Sequence, residues 1–332
     1  MVALRAMSHR QAVVVMVLVT LLWSMAGVVT RQVEQAQGLT LTFWRSTFNA
    51  MALAFILCVW RKPSGVWKAL LTGGSALWGS GLCWATMFTA FMWALTMTTV
   101  ANVLVAMALG PLVTVVLARL VLGQRLAWPS IMAVILAGLG LLLMQAPALM
   151  AQWAPSVPDP ATGVALDEAA RSAATGDPSK HGLGVLVALA VPLAGALNWV
   201  LIRAASDRAR SAAQRSPDFL LSVLIGATVS ALASSLVSNP MHASGKDLAW
   251  LALLGVFQLA IPCLLAVMAA RVLQPSEVSL LSLLEVVFGV AWAWIGTAEQ
   301  PEQAVVIGGF IVLATLALHE FWNARQHRQS GR

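Results

Sequence analysis

Glu285 makes the sharpest chemical demand in this sequence. It stands about eight residues into an apolar run over 278–297, or roughly 12 Å along a helix axis. An ionisable side chain at such depth in a bilayer costs roughly 2.5–3.5 kcal/mol on insertion scales, so it needs a reason. Either it is a cavity carboxylate that binds a solute's amine or exchanges a proton, or it hydrogen-bonds a neighbouring helix. Arg45 lies near the outer end of a run over 41–60. It is an anion contact or a gate partner of Glu34, or, more simply, a long side chain that snorkels to the headgroups. Asn102, Asn198 and Gln258 lie in three further runs. Neutral amides suit a cavity for polar solutes, and equally they hold helices together. Ser282 is a weaker candidate, because a hydroxyl in an apolar helix usually bonds its own backbone.

Other residues bear on shape. Trp23 and Trp199 fall deep within their runs and suit an apolar pocket or simple packing. Trp44, Trp60, Trp128 and Trp250 lie near run ends, as interface anchors do. Pro111, Pro192 and Pro262 each interrupt a run; a proline removes one backbone hydrogen bond and kinks its helix. Ser75 and Gly79 have the spacing of a close helix contact.

The elements that must position these residues follow from composition. The 332 residues are 59% hydrophobic and 10% charged, against roughly a quarter charged in a soluble domain. Ten apolar runs stand at about 11–30, 41–60, 70–94, 99–122, 129–146, 183–203, 218–237, 249–270, 278–297 and 304–321. Each approaches the length that spans a bilayer, and none alternates as a barrel strand does. The expected fold is an all-α polytopic membrane protein. The first run is longer than a secretory signal's apolar core and reads as an uncleaved first helix.

Basic residues orient the chain. With the N-terminus inside, the inner segments hold Arg5, Arg10, Arg61, Lys62, Lys68, Arg119, Arg125, Arg203, Arg208, Arg210, Arg215, Arg271, Arg325, Arg328 and Arg332. The outer segments hold Arg31, Arg171, Lys180 and Lys246. This asymmetry favours ten helices with both termini cytoplasmic in a cell inner (plasma) membrane. Residues 147–181, rich in Pro, Ala, Ser and Asp, read as a flexible external linker. They separate a first five-helix repeat (1–146) from a second (182–322), with 323–332 a cytoplasmic tail. An odd number of crossings per half makes the repeats inverted. A shift of about 175 residues lays Gly110-Pro111 on Glu285-Val286.

At these residues the chain resembles the ten-helix drug/metabolite transporter superfamily, specifically its EamA-like members. The likeness rests on Leu22-Trp23-Ser24, Phe43-Trp44-Arg45, Leu109-Gly110-Pro111 with Leu122-Gly123-Gln124, and Leu283-Leu284-Glu285 with Ala298-Glu299-Gln300-Pro301. Gly110, Gln124 and Val286 depart from the family's common residues, so two symmetric carboxylates are not implied. The resemblance implies a central cavity between the halves, lined by helices one, three, four, six, eight and nine. It implies a secondary transporter, an exporter by expectation, for a small metabolite or an amino-acid-like organic solute.

Several classes are set aside. The net charge of +7 follows topology rather than a basic stripe, so nucleic acid is no partner. Cys58, Cys83 and Cys263 have no metal spacing, and no metal or cofactor is expected. Neither a nucleotide loop nor an enzyme motif is present. The expected partners are a small-molecule substrate and the lipid bilayer, with protons a candidate coupling ion. A non-transporting scaffold is the alternative.

Overall fold

The computed structural model describes residues 7–30, 32–36, 38–98, 100–123, 128–153, 178–212, 217–238, 243–296 and 303–330. All regular structure among them is helical. We label the membrane helices α1 (His9–Thr30, interrupted at Met25), α2 (Gly38–Arg61) and α3 (Gly74–Leu95). In α4 two pieces, Val100–Ala108 and Gly110–Leu122, meet at Leu109. Then come α5 (Trp128–Trp153), α6 (Pro178–Ser211), α7 (Leu220–Ser235) and α8 (Gly245–Ala270). The next helix, α9, is again in two pieces, Pro275–Ser282 and Leu284–Gly296, followed by α10 (Gln303–Ser330). Each of the ten apolar runs has become a helix.

The details differ from expectation at several points. A further short helix, Pro63–Thr72, precedes α3, so the third span starts at Gly74 rather than at 70. Helix also runs past both expected linker boundaries, to Trp153 and from Pro178; Ala, Leu, Met and Gln in 148–152 favour it. Linker residues 154–177 lie outside the described residues, as do Gln124 and Glu299.

Local chemistry starts and stops the helices. Ser8 and Gln11 form a reciprocal cap on α1, Ser244 and Asp247 on α8, and Gln274 and Glu277 on α9, where Pro275 occupies the first turn. Gly123 ends α4 in the left-handed conformation (φ 64°), donating its N–H to the Arg119 carbonyl.

Seven segments among the described residues are long and apolar enough to cross a membrane, and α7 and the Gln303–His319 stretch of α10 are apolar but shorter. The remaining helix, α3, is 22 residues long, but its Gly, Ser and Trp residues lower its apolarity. Its position explains that composition. It packs against α6 and α7 of the second half, while α1 packs against α8 and α9, α2 against α7, and α5 against α10. The halves therefore interdigitate. A Cβ on Gly81 would sit 2.5 Å from Ile225, and one on Gly226 would sit 2.3 Å from the Cβ of Trp84. The close α3 contact thus lies at Gly81, not at the expected Ser75 and Gly79, where Ser75 is exposed and a Cβ on Gly79 would make only an ordinary contact with Leu201. Beside it, Ser80 Oγ lies 2.6 Å from Asn198 Oδ1 and 2.9 Å from Ser222 Oγ.

Charged groups tie the helix ends. Asp218, just before α7, pairs with Arg61 at the end of α2 and with Arg271 just after α8 (3.5 Å). His9 of α1 meets Glu277 of α9 at 3.3 Å. At the other end, the Asp247 carboxylate accepts from the backbone N–H groups of Glu34, Gln35 and Ala36 at 2.9–3.1 Å. Lys246 pairs with Glu34 at 2.6 Å.

Gly226→Val should drive a methyl-bearing carbon into the α3 backbone and lower stability by about 1–3 kcal/mol. Gly138→Ala on α5, where an added Cβ meets nothing within 4 Å, should be neutral or slightly stabilising. Thermal unfolding in detergent, followed by tryptophan emission, measures both.

Candidate functional site

A cavity of about 170 Å³ lies near mid-length between α1, α2, α3, α4, α6, α8 and α9. It has room for roughly a dozen non-hydrogen atoms at ~10–15 Å³ per water-sized position. Six of these helices are those the resemblance implies; α2 joins them through Arg45.

Breaks in the helices shape the walls. Pro111 and Pro192 line the cavity, at the second residue of the lower α4 piece and inside α6. The α4 break at Leu109 and the α9 break at Leu283 precede Gly110-Pro111 and Leu284-Glu285, and Gly110, Pro111, Leu283 and Glu285 all line the cavity. Pro262 stands just behind the wall. It lacks the N–H that would bond the Gln258 carbonyl, and the turns before it, Leu254–Ala260, widen into a π-helix. That wide turn carries Gln258, whose Nε2 donates to the Trp23 carbonyl at 3.2 Å. Its Oε1 is buried without a partner.

The rest of the wall is apolar and aromatic. Trp84, Met87, Phe88 and Phe91 recur at helical spacing and turn one face of α3 to the cavity. Trp199 meets Trp84 edge-on, with ring centroids 5.6 Å apart, and Phe88 lies 5.5 Å from Trp84. Met107 and Trp23 add to this surface. Met87, Phe88, Phe91 and Met107 were not among the sequence candidates; the 84–87–88–91 stripe was the signal for three of them.

Two charges face this surface. Arg45 is 3% exposed and lines the cavity. It does not snorkel to the headgroups, because its face of α2 is packed against α8. There a Cβ on Gly255 would come within 2.9 Å of the α2 backbone. Nor does it pair with Glu34, whose carboxylate meets Lys246. Glu285, half-buried, lines the same cavity within electrostatic reach of Arg45. Among the described residues neither forms an ion pair, and the Arg45 Nε is buried without a hydrogen-bond partner. Ser282 lines the cavity too, but its hydroxyl donates to the Val278 carbonyl at 2.8 Å.

The cavity thus gathers Glu285, Arg45, Gln258, Trp23, Trp199 and Ser282. The other two amides are elsewhere. Asn102 donates to Thr98 one turn back (3.0 Å), and Asn198 is fully buried against Ser80. Asn102 is thus held within its own segment, and Asn198 in a contact between α3 and α6.

The model of the EamA-like transporter family matches residues 10–145 and 182–319. This chain belongs to that family, as two repeats. Its members are generally membrane transporters, which brings a lipid environment and a small-molecule substrate. The fold is also that of a solved crystal structure 17% identical in sequence, with a TM-score of 0.70, covering 95% of this chain and 99% of the other. A search of curated proteins finds none that matches.

Arg45→Met and Glu285→Gln each remove a charge that lacks an ion-pair partner. Unfolding midpoints should stay level or rise, since each variant relieves desolvation. A loss of about 3–5 kcal/mol in either variant, the size expected on breaking a buried pair, would assign the two charges to the scaffold.

Proposed function

We propose that this chain is a secondary transporter that carries a small metabolite or amino-acid-like organic solute across the inner membrane by alternating access. The observation that carries this reading is the cavity itself. It lies between helices of both halves, near their mid-length, and it holds a guanidinium and a carboxylate that form no ion pair among the described residues. Charge in a bilayer that does not serve packing serves a ligand or an ion. A non-transporting scaffold would give these two residues no task.

Motion has a physical basis in the broken helices. The interruptions at Leu109 and Leu283 lie at matching places in the two repeats, on the cavity wall. At both joints the backbone turns tightly, with the Leu109 N–H on the Ala106 carbonyl and the Leu283 N–H on the Leu280 carbonyl, each at 3.1 Å, and short joints of this kind absorb rotation of one piece against the other. Ionic ties at both ends, Arg61–Asp218–Arg271 and Lys246–Glu34, then exchange as one mouth opens and the other closes. Glu285 is the group suited to take up and release a proton as the cavity changes sides. The basic residues support both termini in the cytoplasm; export is the direction we propose.

The test is a metabolite panel in proteoliposomes, with and without an imposed proton gradient. We expect at least one solute to move, and Glu285→Gln to cut gradient-driven flux by about tenfold or more while exchange of solute for solute survives. A protein that moves nothing under any gradient overturns the reading.

A further inference from the structure

Lys62 turns the chain at the joint between two cavity helices. It follows the last residue of α2 and precedes the short helix Pro63–Thr72, which leads to α3. With φ 62° and ψ 147° it is the one non-glycine residue among those described whose φ is positive. Pro63 holds its ψ extended, and the combination is a region left essentially to glycine. A lysine at such a corner costs stability that a glycine would spare, so its charge needs a task. The short helix turns Val66, Ala69 and Leu70 onto the core and packs against α2 and α7. Its outer face, Ser64, Trp67, Lys68 and Leu71, recurs at i, i+3, i+4 and i+7 and is exposed. Apolar and basic side chains share that face, as in a helix that lies in the headgroup plane. From the corner an exposed apolar stripe, Val59, Phe55 and Met51, descends α2. Charge at the corner is one-sided. Arg61, whose Cβ lies against Gly65, shares the Asp218 carboxylate with Arg271. Lys62 and Lys68 form no ion pair among the described residues. Four cations thus gather about one carboxylate.

We propose that this corner binds an anionic phospholipid, from the leaflet at the end of the bundle that we place in the cytoplasm. The phosphodiester lies on the ammonium groups of Lys62 and Lys68. Trp67 sits at the boundary between headgroup and acyl chain, and one chain runs along Val59 and Phe55. Charge selects the occupant, because a zwitterionic headgroup brings its own cation to a surface already rich in cations. The apolar stripe selects lipid over free phosphate, since an anion alone leaves Trp67 and Leu71 uncovered. The place matters for the cavity. Arg45 lies on α2 and the aromatic stripe on α3, and the lipid pins the joint that connects these helices. It is held there whatever solute the cavity takes.

The experiment uses the full chain in neutral detergent, titrated with phosphatidylglycerol, phosphatidylcholine or inorganic phosphate. Native mass spectrometry counts bound lipid, and thermal unfolding reads stabilisation. The wild type should bind phosphatidylglycerol at least about tenfold tighter than phosphatidylcholine and gain stability from it, with no response to phosphate. Lys62→Gln combined with Lys68→Gln should erase the preference, at about fivefold per lysine. Lys62→Arg combined with Lys68→Arg should keep it. Arg10→Gln combined with Arg208→Gln takes two exposed charges from the same end of the bundle and should change it by less than about twofold. Lys62→Gly should unfold at an equal or higher temperature without lipid, because glycine adopts this corner freely, yet bind phosphatidylglycerol more weakly. Equal binding of the two lipids by the wild type overturns the proposal. So does an Arg10→Gln, Arg208→Gln protein that loses as much as the lysine pair, since bulk surface charge then explains the binding. Retained preference in the folded glutamine pair sinks it as well. Stabilisation by phosphate equal to that by phosphatidylglycerol makes the ligand an anion rather than a lipid, and also overturns it.

Discussion

In lipid an apolar side chain gains little by turning inward, because the solvent is as apolar as the core. Helices then hold together only where backbones come close or polar side chains meet. This constraint organises the molecule. Gly81 on α3 and Gly226 on α7 bring two backbones together across the repeat boundary, and Ser80, Asn198 and Ser222 join three helices beside them. Gly140 and Gly308 do the same for α5 and α10. Because these contacts run between halves, the space left at the centre belongs to both repeats at once, and the cavity walls come from seven helices.

The same solvent makes the two central charges expensive. A guanidinium that is 3% exposed and unpaired carries a desolvation cost of several kcal/mol after relaxation. The scaffold bears it elsewhere, through close packing of α2 on α8 at Gly255 and through the polar anchors of the helix ends. Asp247 satisfies three backbone N–H groups that would otherwise face the membrane boundary unbonded. These features hold Arg45 and Glu285 in one cavity without letting them meet.

Much of this was legible in sequence, and the limits have physical causes. Length and apolarity located all ten helices, because the bilayer imposes both. The repeat match placed Gly110-Pro111 opposite Glu285-Val286, and the structure breaks both helices just ahead of those residues. Arg45 was misjudged because depth along an axis can be counted but azimuth cannot. A helix apolar on nearly all sides has no readable inner face, and a packed neighbour decided which way Arg45 points. Asn198 was drawn from the cavity by Ser80, 118 residues earlier in the chain, a partner that no local pattern announces. The π-helical turn that carries Gln258 to the cavity wall has only Pro262 as its sequence trace.

The wedging of α3 between α6 and α7 reaches beyond the finished structure into biosynthesis. Ser80 finds Ser222 across 142 residues, and at roughly 5–20 residues per second that partner emerges on the order of ten seconds later. Throughout that interval α3 must wait with its hydroxyl and glycine face turned to lipid or to the insertion machinery. The second repeat thus acts as an assembly factor for the first, and a truncated product leaves behind a helix whose own apolarity is a weak hold on the bilayer.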